Sequence, residues 1–183
     1  VRNGDWKDVL TLHEATVKAS PHSAKAQNNL GSRFADMNQY DLAMEHFQLA
    51  EAILPDYPDL LNNMGTLKIQ QGKIDEAISY CRRAVALAPQ HIAIRINLGL
   101  ALTMHGDYGA AIAEFDTVIQ RDPANASAHY NKANALYFAG KTNEAMMEFD
   151  HAVRFDPSND TARKNRDALL QKMNQANPSD RSR

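Results

Sequence analysis

The chain repeats itself every 34 residues, and its prolines show this period most plainly. Five of the seven prolines stand 34 residues apart: Pro21, Pro55, Pro89, Pro123 and Pro157. A fixed period of this length is typical of helix-turn-helix units that stack, so that each unit buries its apolar face on its neighbours and not in one central core. We therefore predict a helical repeat array and look for its function on the surfaces of the array.

The positions that must be small keep the same period. Where two helices cross closely, only a minimal side chain lets the backbones approach. Two small series are Gly31, Gly65, Gly99 and Ala133, then Ala43, Ala77, Ala111 and Ala145. Two series in the same phase fill the space between close contacts. They are Ala50, Ala84, Val118 and Ala152, then Phe47, Cys81, Phe115 and Phe149.

This order of small, bulky and proline positions resembles the unit of the tetratricopeptide repeat (TPR) family. The resemblance implies an all-α, right-handed solenoid of antiparallel helix pairs, each made of a helix A and a helix B. Glycine or asparagine can end helix A in the left-handed region. The inner turns are expected at Asn38, Gly72, Gly106 and Gly140. The full repeats are predicted over 24–57, 58–91, 92–125 and 126–159.

Both ends depart from the full repeat. A lone helix B is predicted over 5–19, and a capping helix over 160–175, where Arg166 and Asp167 replace packing residues because the outer face of a cap meets water. The whole of 1–175 is predicted to form a single superhelical domain, and 176–183 is predicted to be a disordered tail. The half repeat at the start suggests a piece cut from a longer protein.

The charge balance argues against nucleic acid as a partner. The formal net charge is −2 with 23% charged residues, so the chain lacks the basic field that attracts phosphate backbones. No apolar run approaches the roughly 20 residues that cross a bilayer, so direct membrane insertion is not expected. The lone cysteine, Cys81, takes the place held elsewhere by phenylalanine, and we expect a small buried hydrophobe there.

Catalytic motifs are missing from the sequence. It has no His-Glu-x-x-His, no glycine-rich phosphate loop and no Gly-x-Ser-x-Gly. The seven histidines do not share one phase of the repeat, so a common metal site is not expected either. We therefore predict that this segment is not an enzyme and binds no cofactor or metal.

One asparagine recurs on every predicted helix A, and we call this series the asparagine ladder: Asn29, Asn63, Asn97, Asn131 and Asn165. Asparagine inside a helix is less favourable than alanine by roughly half a kcal/mol, so something must compensate. Stacked A helices would place the ladder on a concave wall, with rungs about 9 to 10 Å apart. The amide offers the donors and the acceptor that an extended peptide backbone needs.

The ladder resembles the one with which the TPR arrays of O-GlcNAc transferase and of the peroxisomal targeting-signal receptor hold extended peptides. We therefore predict a non-catalytic scaffold that binds a protein or peptide segment in its concave groove. The alternative is that these asparagines form hydrogen bonds between neighbouring helices. The basic residues of arrays that clamp the acidic C-termini of heat-shock chaperones are missing at the matching positions, so that ligand is not expected.

The groove is predicted to change character along its length. Its first half is polar, whereas its second half is expected to hold apolar ligand side chains on repeats three and four. The residues predicted to bind there are Ile96, Leu100, Met104, Tyr130, Asn134 and Tyr137, with Phe138 beside them. The alternative is that these residues pack on adjacent B helices.

A second, narrower resemblance lies at the start of the chain. Residues 2–8, with Leu12, Pro21, 23–25 and 29–31, resemble the junction at which membrane-embedded protein O-mannosyltransferase-like proteins pass into their C-terminal TPR arrays. This resemblance implies a substrate-recruiting arm of a membrane glycosyltransferase on the extracytoplasmic side. A cytoplasmic scaffold is the other reading. In a third, the open N-terminal end around Trp6 pairs with a second copy, which would give a homo-oligomer.

Overall fold

The computed structural model describes the backbone of residues 3–176 and the side chains of residues 10–175. Over this range it contains helices and no strands, which confirms the all-α prediction. The ten helices are α1 (Asn3–Ala19), α2 (Ala24–Asp36), α3 (Tyr40–Ile53), α4 (Pro58–Gln70), α5 (Ile74–Leu87), α6 (Ile92–His105), α7 (Tyr108–Arg121), α8 (Ala126–Phe138), α9 (Thr142–Phe155) and α10 (Asp160–Ala176).

Tight turns join the two helices of each repeat, and a left-handed residue forms each turn. The positive φ angles are 59° at Asn38, 72° at Gly72, 95° at Gly106 and 78° at Gly140, at the four predicted positions. In the first turn the amide of Gln39 donates to the carbonyl of Phe34, the closing bond of a Schellman motif. Such short turns make the two helices of a pair antiparallel.

Side-chain caps mark the start of α2, α8 and α10, each of which follows a proline-containing connection. Side-chain oxygens of Ser23, Asn125 and Asn159 accept hydrogen bonds from amides of the first helical turn. Pro58 instead stands at the first position of α4, where its missing N–H leaves no donor unsatisfied.

The small positions allow close packing of helix A on helix B. A Cβ added to Gly31 would lie 2.6 Å from Cδ1 of Phe47, and one added to Gly65 would lie 2.6 Å from Sγ of Cys81. Glycine at these two positions therefore leaves the space that the side chain opposite occupies. Cys81 is fully buried, as predicted, and burial raises the pKa of its thiol to about 11.

The chain divides into two compact units, Val1–Asn97 and Leu98–Arg183, which we call the first and the second unit. The core of the first unit contains buried Leu30, Phe47 and Leu60. The second unit has a core cluster of Leu136, Phe149 and Leu169 with two alanines. The single domain over 1–175 stays a prediction.

The predicted ends of the array have helices close to their expected bounds. α1 begins at Asn3 and α10 ends at Ala176. The side chain of Trp6 and residues 177–183 lie outside the described part of the chain, so the tail and the pairing of the N-terminal end stay predictions. None of the described helices is both long and apolar enough to span a bilayer.

Candidate functional site

In the first unit two of the three ladder asparagines, Asn63 and Asn97, join successive A helices. Nδ2 of Asn63 on α4 donates to Oδ1 of Asn28, at 2.9 Å, and to Oγ of Ser32, at 3.0 Å, both on α2. These two bonds use both hydrogens of the Asn63 amide nitrogen. Asn28 is only 4% exposed, so its side-chain carbonyl needs the hydrogen bond from Asn63.

Asn97 on α6 repeats the same arrangement one repeat later. Its Nδ2 donates to Oδ1 of Asn62, at 2.8 Å, and to Oγ1 of Thr66, at 3.3 Å. In both cases the acceptors precede the ladder asparagine by 35 and 31 residues. The hydrogen bonds agree with the alternative role of these asparagines between helices, while peptide binding by Asn29, Asn63 and Asn97 stays a prediction.

In the second unit the ladder is less complete. Nδ2 of Asn165 on α10 donates to the hydroxyl of Tyr130 on α8, at 3.1 Å. The residues 35 and 31 positions before Asn131 are Ile96 and Leu100, whose side chains cannot form hydrogen bonds. The half-buried amide of Asn131 has no hydrogen-bond partner among the described residues.

A pocket of about 210 Å³ lies between α8, α9 and α10 within the second unit. Three of the predicted site residues, Asn134, Tyr137 and Asn165, line it together with Phe138. The sequence analysis missed the other lining residues, which come from helix B and the cap: Phe149, Ala168, Leu169 and Lys172.

The pocket has an apolar interior and a polar rim. Phe149 and Leu169 are 3% exposed and form its buried part, whereas Phe138 is 59% exposed. Nζ of Lys172 donates to the hydroxyl of Tyr137 at 2.7 Å, which holds the tyrosine ring against the cap. An apolar recess with a few polar groups is the usual form of a site for a side chain or a small ligand.

The remaining predicted residues lie outside the pocket. Tyr130 packs on Phe149, with ring centroids 5.9 Å apart, which agrees with the alternative that it serves the core. On α6, Ile96 and Leu100 are half-buried and Met104 is 52% exposed. Their part in binding stays a prediction.

A second polar cluster ties helix A to helix B in the fourth repeat. Nε2 of His129 lies 3.0 Å from the carbonyl oxygen of Pro123, and its Nδ1 lies 2.6 Å from Oε2 of Glu148. The first full repeat has the same geometry, because Gln27 donates to the carbonyl of Pro21 and contacts His46 at 2.7 Å.

Lys132 extends this cluster with two ion pairs. Its Nζ lies 2.6 Å from Oε1 of Glu148 and 2.8 Å from Oδ1 of Asp116. Burial alone would raise the pKa of Glu148, but the hydrogen bonds from Lys132 and His129 outweigh it and hold this pKa below its ordinary value. The carboxylate is therefore ionised at neutral pH.

Sequence comparisons identify the repeats. A family model described as tetratricopeptide repeat matches residues 1–58 and 62–126, and a second model with the same description matches residues 102–165. Comparison with the curated proteins gives no match.

Solved structures share the fold. YrrB, described as a TPR protein with an unusual peptide-binding site, is 22% identical over 90% of this chain and 84% of its own, with a TM-score of 0.73. PilW, a type IV pilus biogenesis factor, is 20% identical over 100% and 89%, with a TM-score of 0.80. PilF of Pseudomonas aeruginosa is 19% identical over 96% and 86%, with a TM-score of 0.76.

The TPR fold supports a role as a protein-interaction scaffold, and TPR repeats are generally non-catalytic. None of these comparisons supports the second resemblance, to O-mannosyltransferase-like proteins. The first family model alone covers well over half of the sequence, and the helix pairs agree with it. The chain therefore belongs to the tetratricopeptide repeat family.

Proposed function

We propose that this chain is a non-catalytic scaffold that binds an extended peptide, and that the pocket between α8, α9 and α10 takes an apolar side chain of that peptide. The observation that carries the proposal is the pocket itself, with a volume of about 210 Å³ and buried Phe149 and Leu169 inside it. Filling such a recess removes apolar surface from water, at about 25 cal/mol per Å².

Amides near the pocket supply the polar half of the interaction. Asn134 lines the recess, and Asn131 lies one helical turn before it on α8 without a hydrogen-bond partner among the described residues. An amide side chain can donate to a peptide C=O and accept from a peptide N–H at the same time. Asn131 and Asn134 therefore hold the peptide backbone while the pocket holds the side chain.

The ladder then has two roles. Asn63 and Asn97 hold A helices together, since both hydrogens of each amide are already used within the first unit. Asn131 contacts the ligand instead. The fold is shared with YrrB, whose description includes a peptide-binding site, and this agrees with a peptide as the ligand class.

A pocket-filling variant tests this function. Ala168 lines the pocket and is itself exposed on α10, so Ala168→Phe fills the recess without entering the core. Its matched control is Ala113→Phe, at an exposed alanine of α7 in the same unit. Peptides are selected from a random displayed library with the wild-type chain, and their affinities are measured by fluorescence anisotropy.

The selected peptides are expected to share a large apolar residue and to lose at least about tenfold in affinity for Ala168→Phe, a change of about 1.4 kcal/mol. Ala113→Phe should bind as the wild type does. Equal affinity of all three chains, or selected peptides without a common apolar residue, would refute the proposed use of the pocket.

A further inference from the structure

Three side chains of the second unit bring ligand atoms of the kind that bind metal ions to one place. His129 on α8 and Glu148 and His151 on α9 each offer one ligand atom, and these three atoms lie within 4.8 Å of one another. Oε2 of Glu148 is 2.6 Å from Nδ1 of His129 and 3.7 Å from Nδ1 of His151. The carboxylate oxygen therefore lies between two imidazole nitrogens.

The hydrogen-bond partners of His129 indicate which of its two ring nitrogens carries a hydrogen. The carbonyl oxygen of Pro123 only accepts, so Nε2 of His129, at 3.0 Å, must carry the hydrogen. A charged ring donates its second hydrogen from Nδ1 to Oε2 of Glu148, whereas in a neutral ring this Nδ1 carries a lone pair that faces the carboxylate oxygen, another acceptor. Two acceptors at 2.6 Å need a positive centre between them.

His151 makes this a three-ligand arrangement. Its Nδ1 is buried and has no hydrogen-bond partner in the part of the chain that the structure describes, and it lies 3.7 Å from the same oxygen of Glu148. A proton on His129 would satisfy one pair of acceptors and leave this nitrogen unpaired. A metal ion between the three atoms would satisfy all of them.

We propose that His129, Glu148 and His151 bind a divalent first-row transition metal of the Zn²⁺ class. Imidazole and carboxylate are ligands that this class accepts, and three protein ligands leave a fourth position for water. A Glu-x-x-His pair on one helix facing a ligand on the next is a known way to build a metal site between packed helices.

The surroundings hold the ligands in place. The carbonyl of Pro123 fixes the tautomer of His129, and Lys132 binds the other oxygen of Glu148, at 2.6 Å, which leaves Oε2 for the metal. The ammonium of Lys132 repels a metal cation, but its charge is also paired with the carboxylate of Asp116, at 2.8 Å. Glu148 is 14% exposed and His129 is 6% exposed at the side chain, so water competes weakly for them.

Only the fourth repeat combines the three ligand types. The positions of His129, Glu148 and His151 hold Arg95, Glu114 and Thr117 in the third repeat. His151→Thr thus removes one ligand with a residue that this fold already accepts at the same place, and it leaves the contact between His129 and Glu148 intact. His22→Gln, at an exposed histidine outside the cluster, is the matched control.

The test uses the full chain, purified without a histidine tag and stripped with a chelator. Co²⁺ is titrated in while visible d–d absorption is followed, Zn²⁺ is then added in competition, and thermal melts are recorded with and without Zn²⁺. We expect a one-to-one Co²⁺ spectrum, its displacement by Zn²⁺, and a higher melting temperature with Zn²⁺ because the metal binds the folded state.

His151→Thr should melt like the wild type without metal and bind Co²⁺ at least about tenfold more weakly. His22→Gln should bind as the wild type does. The proposal is overturned if the wild type gives no Co²⁺ spectrum and no Zn²⁺-dependent melt, which would mean that a proton bridges His129 and Glu148. It is also overturned if His151→Thr binds Co²⁺ as tightly as the wild type.

Discussion

The two units use the same ladder position differently. In the first unit, Asn63 donates to Asn28 and Ser32, and no donor hydrogen of its amide remains for a ligand. In the second unit, Asn165 reaches only the hydroxyl of Tyr130, and Asn134 lines a pocket instead. The difference shows that the role of a ladder asparagine depends on the residues of the A helix one repeat earlier, and not on the asparagine alone.

The largest expected difference in stability between the two units is at the crossing of helix A and helix B. Gly31 of the first unit cannot accept a Cβ without moving Phe47, since the added atom would lie 2.6 Å from the ring and 3.1 Å from the carbonyl oxygen of Ala43. Ala133 of the second unit occupies the same position beside Phe149 and is fully buried. Gly31→Ala should therefore lower the free energy of unfolding by about 1 to 3 kcal/mol through overpacking.

The control is Ala133→Gly, which should lower the free energy of unfolding by about 1 kcal/mol because glycine has a weaker helix propensity than alanine. Urea denaturation followed by circular dichroism measures both. A Gly31→Ala variant that is as stable as the wild type would mean that the two units pack alike at this crossing.

The polar contacts between helix A and helix B in the two units, one through His46 and one through Glu148, are expected to weaken at different pH values. Burial lowers the pKa of His46 from its ordinary value of 6.5, against the raising influence of Glu45 and Glu14. The pKa of Glu148 is lowered from 4.5 because Lys132 and His129 outweigh its burial. Each group has a lower pKa in the folded state, so each contributes stability that is present above its ordinary pKa and is lost as the pH falls through its folded pKa.

Stability should thus fall in two steps, below about pH 6.5 through His46 and below about pH 4.5 through Glu148. His46→Gln should flatten only the first step, and Glu148→Gln only the second. Denaturant midpoints recorded across this range measure both slopes. If a substitution leaves the fall in stability assigned to its residue unchanged, that residue does not cause the fall.

Much of the fold follows from sequence periodicity. The 34-residue period and the left-handed turn residues place the A and B helices, because a turn such as the one at Gly72 stops a helix by local chemistry alone. α1 starts at Asn3 in place of residue 5, a shift of two residues of the size usual at helix ends.

The candidate site was predicted less completely. Asn134 and Tyr137 could be found because they share a phase with the ladder, whereas Phe149 and Lys172 come from other helices, which periodicity on helix A does not reach. The His129–Glu148 contact was missed for the same reason, although the 19-residue spacing that it shares with Gln27–His46 was available as a signal.

The interhelical bonds of the ladder also had a signal in the sequence. Asn28 and Ser32 recur as Asn62 and Thr66 and then become apolar. Polar acceptors at these positions predict that the ladder asparagine of the next repeat forms hydrogen bonds to the preceding helix A. Their replacement by Ile96 and Leu100 predicts that Asn131 finds no hydrogen-bond acceptor at these two positions of the preceding helix A, which is the basis of the proposed difference between the units.

The proposed difference between the two units has the smallest expected effect, and two single substitutions test it most directly. Asn63→Ala and Asn131→Ala are each compared with the wild type in thermal melting and in binding of the selected peptides. Asn63→Ala leaves the buried carbonyl of Asn28 without its donor, so we expect a net loss of about 1 kcal/mol, or about 2 to 4 °C, with peptide binding retained. Asn131→Ala should melt at or slightly above the wild-type temperature and lose peptide affinity. Equal melting shifts for the two variants, or peptide loss in Asn63→Ala alone, would contradict the account.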